Sequence, residues 1–199
     1  SDLPLTALED LCPELQARGA VLIHLTGGEP LLRDGLQQIC SFFDDRSVVM
    51  LSTTGWGLTA ARAQGLRDAG LFGMGISLDS EEESEHDRLR GHGGAFRAAV
   101  RAVSIGREAG LYTFISAVAR RQLLEPGRFM AFVRFAGSIG AQEVKLLEPM
   151  PVGRLAGHKE ATLKGPHRRR ILEFQKIVAR DPSLPLLSTD THQGSREVF

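Results

Sequence analysis

Short apolar runs alternate with longer amphipathic ones along almost the whole chain, and this alternation restricts the fold more than any other feature. Runs at 21–25, 47–51, 72–78, 112–118 and 144–147 are rich in Val, Ile, Leu, Phe and Met and read as buried strands. Between them lie segments with helical spacing. The first opens at Thr6-Ala7-Leu8-Glu9, a capping-box sequence, and carries Leu8, Leu11, Cys12 and Leu15 on one face until Gly19. Others cover about 34–44, 58–69, 95–109, 126–138 and 166–180, with Gly70 and Gly110 as C-terminal stops and Pro126 in a first turn. Strands separated by helices pair in parallel through right-handed crossovers. The sheet is then doubly wound and open, or curled into part of a barrel.

The residues that interrupt the apolar pattern favour the barrel. Gly27–Pro30, Ser52–Gly55, Ser77–Asp79, Arg120–Arg121 and Glu148–Pro151 all follow strand C-terminal ends, the rim where such sheets bind ligands. Rims of this kind imply one shared site. No GxGxxG follows the first strand, so a dinucleotide fold has little support. Lys+Arg 24 balances Asp+Glu 24, and no apolar run is long enough to span a bilayer, so neither nucleic acid nor membrane is expected as a partner. The two cysteines, Cys12 and Cys40, are too few for a disulfide framework and read as buried thiols of a cytoplasmic, reducing compartment.

The rim sequences resemble those of radical S-adenosylmethionine (SAM) enzymes. Leu25-Thr26-Gly27-Gly28-Glu29-Pro30 is similar to their GGEP turn, and Ser52-Thr53-Thr54-Gly55 to a later S-T-N-G. Ile76-Ser77-Leu78-Asp79 with His86-Asp87-Arg88-Leu89-Arg90-Gly91 resembles S-L-D…H-D-x-x-R-G. Glu148-Pro149-Met150-Pro151-Val152-Gly153-Arg154 resembles the P-x-G-R segment of the branch with a SPASM or twitch extension. The motifs occur in the family's order and cover nearly the whole chain.

The resemblance implies an α/β fold, a partial (β/α)6 TIM-like barrel of parallel strands whose first strand lies outside this sequence. Residues 1–183 are then the core, and 184–199 a lead-in to a C-terminal extension. It implies SAM and a [4Fe–4S] cluster as cofactors, the cluster held by CxxxCxxC, which this sequence lacks. The complete enzyme would cleave SAM reductively to a 5′-deoxyadenosyl radical that abstracts hydrogen from a substrate, with peptides and tetrapyrroles as the classes the resemblance implies. Its electron would come from a partner such as flavodoxin or ferredoxin. Residue by residue, Gly27, Gly28, Glu29 and Pro30 match the segment at the SAM amino group. Ser77 and Arg90 match the pair at its carboxylate, and Leu147 a position near the adenine. Ser52, Thr54 and Asp79 fall on the rim of the SAM or substrate site.

Other readings of the same residues stay open. Arg90 lies 13 residues after Ser77 (90 − 77), one more than the family spacing, and pairing with an acid in Glu81–Glu85 competes with ligand binding. Ser80 and Glu83 offer a capping box, and Asp79 a cap, for the helix that absorbs the extra residue. His86 and Asp87 read as helix-start hydrogen-bonding residues, His24 as a packed barrel residue. Ser116, Lys145 and Arg120 are candidates for the barrel cavity. Lys164 with Arg168-Arg169-Arg170 is a basic run that reads as a solvated helix face or a docking patch. Two functional alternatives remain: a cluster-less relative acting as a binding scaffold, and an unrelated barrel enzyme with Glu29 or Glu148 as general base.

Overall fold

The computed structural model describes residues 3–150, 156 and 162–190. Helix α1 (Leu5–Ala17) leads into β1 (Leu22–Leu25), a 3₁₀ turn (Pro30–Leu32) and α2 (Leu36–Ser41). There follow β2 (Val48–Thr53), α3 (Ala60–Asp68), β3 (Leu71–Ser77), α4 (Glu83–Arg90), α5 (Ala95–Glu108) and β4 (Tyr112–Val118). Then come α6 (Pro126–Ser138), β5 (Glu143–Leu147), α7 (Gly165–Val178) and β6 (Leu186–Asp190).

All neighbouring strands pair in parallel, and their order in the sheet is their order in the chain. That order separates the two architectures left open by the alternation. Crossovers of one hand that always step the same way place every helix on one face; a doubly wound sheet must reverse direction. The side chains agree. Val49, Leu51, Met74, Ile76, Ile115, Ala117, Val144 and Leu146 are buried against the helices, whereas Met50, Ser52, Ser77, Lys145 and Leu147 on the alternate positions keep some exposure. The sheet is a curled half-barrel. Its curl is felt electrostatically: His24 on β1 interacts with Lys145 on β5 and Asp190 on β6, strands at the opposite side of the sheet.

The concave face needs room for large side chains at its middle. A Cβ on Gly75 would lie 2.4 Å from the Phe114 ring, so glycine on β3 is what lets that ring lie flat across the neighbouring strand. On the helical side, Phe129 of α6 stacks on Phe174 of α7 with ring centroids 4.3 Å apart, joining these helices over the sheet.

Three local expectations change. Five strands were expected, and the sheet has six. Leu186–Asp190 falls in the segment read as a lead-in; its Leu-Leu-Ser-Thr-Asp shows no alternation, and pairing with β5 (Glu143↔Leu186 to Leu147↔Asp190) makes it a strand. The capping box at Thr6 is not formed. Extended Pro4 (φ −64°, ψ 153°) precedes a helix that begins at Leu5, so Thr6 is already inside it. Ser80 and Glu83 form none either: α4 starts after Glu82, and Ser80 Oγ instead accepts the Glu82 N–H at 3.1 Å and donates to Glu85 at 2.6 Å.

Candidate functional site

Strand β1 ends at Leu25 and hands over to the Thr26–Pro30 turn. Gly27 has φ +150°, and nothing lies within 4 Å of where a Cβ on Gly27 or Gly28 would stand, so the peptide groups here are open to a ligand. Pro30 requires an extended residue before it, and Glu29 is extended (φ −130°, ψ 104°). This points the Glu29 carboxylate back at β2. Oε1 accepts the Leu31 N–H at 3.1 Å and the Thr53 hydroxyl at 2.5 Å. Oε2 accepts the Thr54 N–H at 2.7 Å and the Thr54 hydroxyl at 2.5 Å. Both oxygens are saturated. Glu29 is therefore a clamp between two rim turns, and the free acceptors for a ligand cation are backbone carbonyls. A cavity of about 520 Å³ lies over this turn, lined by Gly27, Gly28, Glu29 and Pro30 with apolar residues of α1 and α2.

A second cavity, about 390 Å³, opens beyond the ends of β2 and β3 and is lined by Thr54, Trp56, Ser77, His86, Arg90, His92 and Ala95. Ser77 is the last residue of β3, and Arg90 the last of α4. They stand 13 positions apart (90 − 77), and both line one cavity. Arg90 pairs with Asp79, at 2.8 Å, and not with the acids at 81–85. Asp79 is buried and caps no helix. Its Oδ1 accepts the Val118 N–H at 2.9 Å, its N–H goes to His86 Nδ1 at 3.1 Å, and its carbonyl accepts Arg120 at 2.7 Å. His86, also buried, therefore carries its proton on Nε2; burial first, then the Arg90 charge, holds its pKa below the ordinary value. Asp87 accepts the N–H groups of Gly94 at 2.6 Å and Phe96 at 2.8 Å, which fixes the turn between α4 and α5 and lowers its own pKa. Both are hydrogen-bonding partners of backbone N–H groups, as expected.

The expected residues thus divide between two cavities: Gly27–Pro30 line the first, and Thr54, Ser77 and Arg90 the second. The Glu29–Thr54 bonds join them. Leu147 lies at the end of β5 outside both, its carbonyl accepting the Ala119 N–H at 2.9 Å. Ser52 shares a hydrogen bond of 2.7 Å with His24, which is exposed on the concave face and not packed as expected. Lys145 is also on that face, paired with Asp190 at 3.0 Å, and Ser116 lies beside it in register. Arg120 leaves the cavity set: it is drawn under α4, toward Glu85 at 3.4 Å, where the partly buried Glu85 carboxylate also gathers Arg128 and Ser80. Two members of the basic run are paired within the chain, Arg168 forking onto Glu148 at 2.5 and 3.0 Å and Arg170 bonding the Leu124 carbonyl at 3.3 Å. Those bonds also occupy Glu148. Of the P-x-G-R segment, residues 151–154 lie outside the described residues.

Sequence reasoning missed Trp56 and His92. Trp56 was legible as the sole tryptophan, directly after the Ser52–Gly55 rim. His92 depended on how α4 meets α5.

The family model of the radical SAM superfamily matches residues 2–122. The chain belongs to the radical SAM superfamily. Superfamily relatives include an AdoMet-dependent heme synthase of Nitratidesulfovibrio vulgaris, 26% identical over 92% of this chain and 49% of that protein. A GTP 3′,8-cyclase of Erythrobacter litoralis is 31% identical over 77% of this chain and 46% of that protein. The chain spans about half the length of these curated relatives. Among solved structures, Streptococcus suis SuiB bound to S-adenosylmethionine matches the fold with a TM-score of 0.76, at 14% identity, over 96% of this chain and 44% of that one.

Radical SAM proteins use SAM and a [4Fe–4S] cluster. The open Gly27–Gly28 backbone offers carbonyl acceptors, and the Ser77–Arg90 cavity offers a guanidinium and a hydroxyl, the donor and acceptor types that an amino-acid group pairs with. Among the described residues no three His, Cys, Asp or Glu gather as a metal site, and Cys12 and Cys40 are buried thiols whose pKa values are raised by burial. No described helix is long and apolar enough to cross a membrane.

Proposed function

We propose that this chain is the SAM-binding part of a radical SAM enzyme of the SPASM or twitch branch. A [4Fe–4S] cluster, when bound in the whole enzyme, would supply the electron for the cleavage of SAM. The radical so formed takes hydrogen from a peptide or tetrapyrrole substrate, with a flavodoxin or ferredoxin as reductant in the cytoplasm. The branch assignment is supported by the Glu148–Arg154 sequence, and the tetrapyrrole class by the heme synthase likeness.

The observation that carries the reading is the convergence of Ser77 and Arg90 in one cavity. Arg90 is oriented there by Asp79 and keeps further guanidinium donors for a ligand carboxylate. Gly27 and Gly28 hold the SAM ammonium by backbone carbonyls, and Glu29 keeps that turn in register with Thr54. Calorimetric titration with SAM tests this. Arg90→Ala is expected to weaken binding about 10-fold or more, the size of losing a charged hydrogen-bonded pair. Unchanged affinity overturns the assignment.

A further inference from the structure

We propose that Trp56 and His92 form a ligand-contacting wall of the Ser77–Arg90 cavity, covering the carboxylate end of SAM and shielding its pairing with Arg90 from water. The inference rests on the SAM reading of that cavity.

Trp56 is 47% exposed although it belongs to a built surface. Its ring stands edge-on to His92, centroids 4.7 Å apart at 72°. Both residues line the cavity that holds Arg90. The two sides of the wall are fixed independently. On the β2 side, the Trp56 N–H reaches Thr54 Oγ1 at 3.5 Å, and Thr54 is clamped by Glu29. On the α4 side, His92 donates its N–H to the Asp87 carbonyl at 3.1 Å, and the Asp87 carboxylate holds Gly94 and Phe96. Gly94 (φ +87°) brings its backbone under the indole, a Cβ there lying 3.9 Å from the ring. The indole is thus held before any ligand arrives, with apolar surface left open beside a guanidinium.

That pairing of surfaces selects a ligand class. Arg90 takes a carboxylate, and an indole beside it favours an apolar stem and a neighbouring positive centre. The methionyl end of SAM has all three: carboxylate, methylenes and sulfonium. An ion pair in water is weak; one covered by an indole sits in a lower dielectric and is screened less by salt. Trp56 therefore acts on the strength of the Arg90 contact, and His92 keeps it in place.

Trp56 is the only tryptophan of this chain, so its emission reports on this wall alone. SAM is titrated into the chain by calorimetry and by tryptophan emission, for wild type, Trp56→Ala, Trp56→Phe, His92→Ala and Arg90→Ala, at low and at high sodium chloride. Circular dichroism establishes that each variant is folded. Expected are an emission change that saturates with the calorimetric Kd and a roughly 5-fold loss of affinity in Trp56→Ala. That loss should widen with salt, be largely restored in Trp56→Phe, and be shared in part by His92→Ala. Arg90-dependent binding with no emission change, and with Trp56→Ala equal to wild type at both salts, overturns the wall and leaves the SAM reading standing. Binding that is absent, or indifferent to Arg90→Ala, overturns the SAM reading itself. A misfolded Trp56→Ala leaves His92→Ala and the emission titration to decide.

Discussion

Glu29 Oε2 accepts both the N–H and the hydroxyl of Thr54, at 2.7 and 2.5 Å, so the turn after β1 is locked to the turn after β2. The acid of the Gly-Gly-Glu-Pro turn is used for architecture. Glu29→Gln replaces one acceptor oxygen by an NH₂ that faces donors. The expected cost is about 1–3 kcal/mol of stability, together with weaker SAM binding as the turn loosens. Urea unfolding and calorimetry measure the two effects. A variant as stable as wild type overturns the clamp.

Asp79 holds Arg90 through one oxygen and the Val118 N–H through the other. Asp79→Asn keeps an acceptor for Val118 and loses the charge opposite Arg90; Asp79→Ala loses both. SAM affinity is expected to fall in both variants. Stability should fall further in Asp79→Ala, by about 2–4 kcal/mol, because a partly buried N–H and a partly buried guanidinium lose their partner. Equal stability of the two variants would show that the Val118 bond contributes nothing.

His86 is buried, and its pKa is held below the ordinary 6.5, by burial first. Its native form is neutral, accepting the Asp79 N–H. As pH falls through 6.5 the unfolded chain gains a proton on this residue that the folded chain refuses. Stability contributed by neutral His86 is therefore complete above that pH and declines below it. His24 is shifted the same way, so the wild type carries both slopes. The difference between wild type and His86→Gln, followed by urea unfolding from pH 7.5 down to about 5, isolates the first. It should shrink toward acid pH. A difference independent of pH would count against the assigned protonation state.

Cys40 is fully buried, and burial pushes its thiol up to about 12; Cys12 is buried and shifted the same way. Thiolate is the reactive species. Neither residue should react readily with an aromatic disulfide reagent in the folded protein, and both should react once guanidinium unfolds it. Fast labelling of either thiol in the native state would contradict its burial.

The sequence by itself determined the alternation of elements and hence a parallel sheet. The spans 112–118 and 126–138 were legible to the residue, because apolar residues there repeat at strand and helix periods and Pro126 marks a start. It also determined which rims carry polar chemistry, since Gly-Gly-Glu-Pro and Ser-Leu-Asp interrupt apolar runs. Tertiary structure alone decided partners. Leu186–Asp190 became a strand because β5 offered an edge, which no local pattern records. Arg90 chose Asp79, eleven positions away (90 − 79), over nearer acids because α4 turns it toward a buried carboxylate; a charge on a helix cannot announce which neighbour the fold will bring. Glu29 and Thr54, and likewise Trp56 and His92, meet for the same reason. Periodicity is a property of adjacent residues, whereas a contact between distant ones depends on how the crossovers stack the strands.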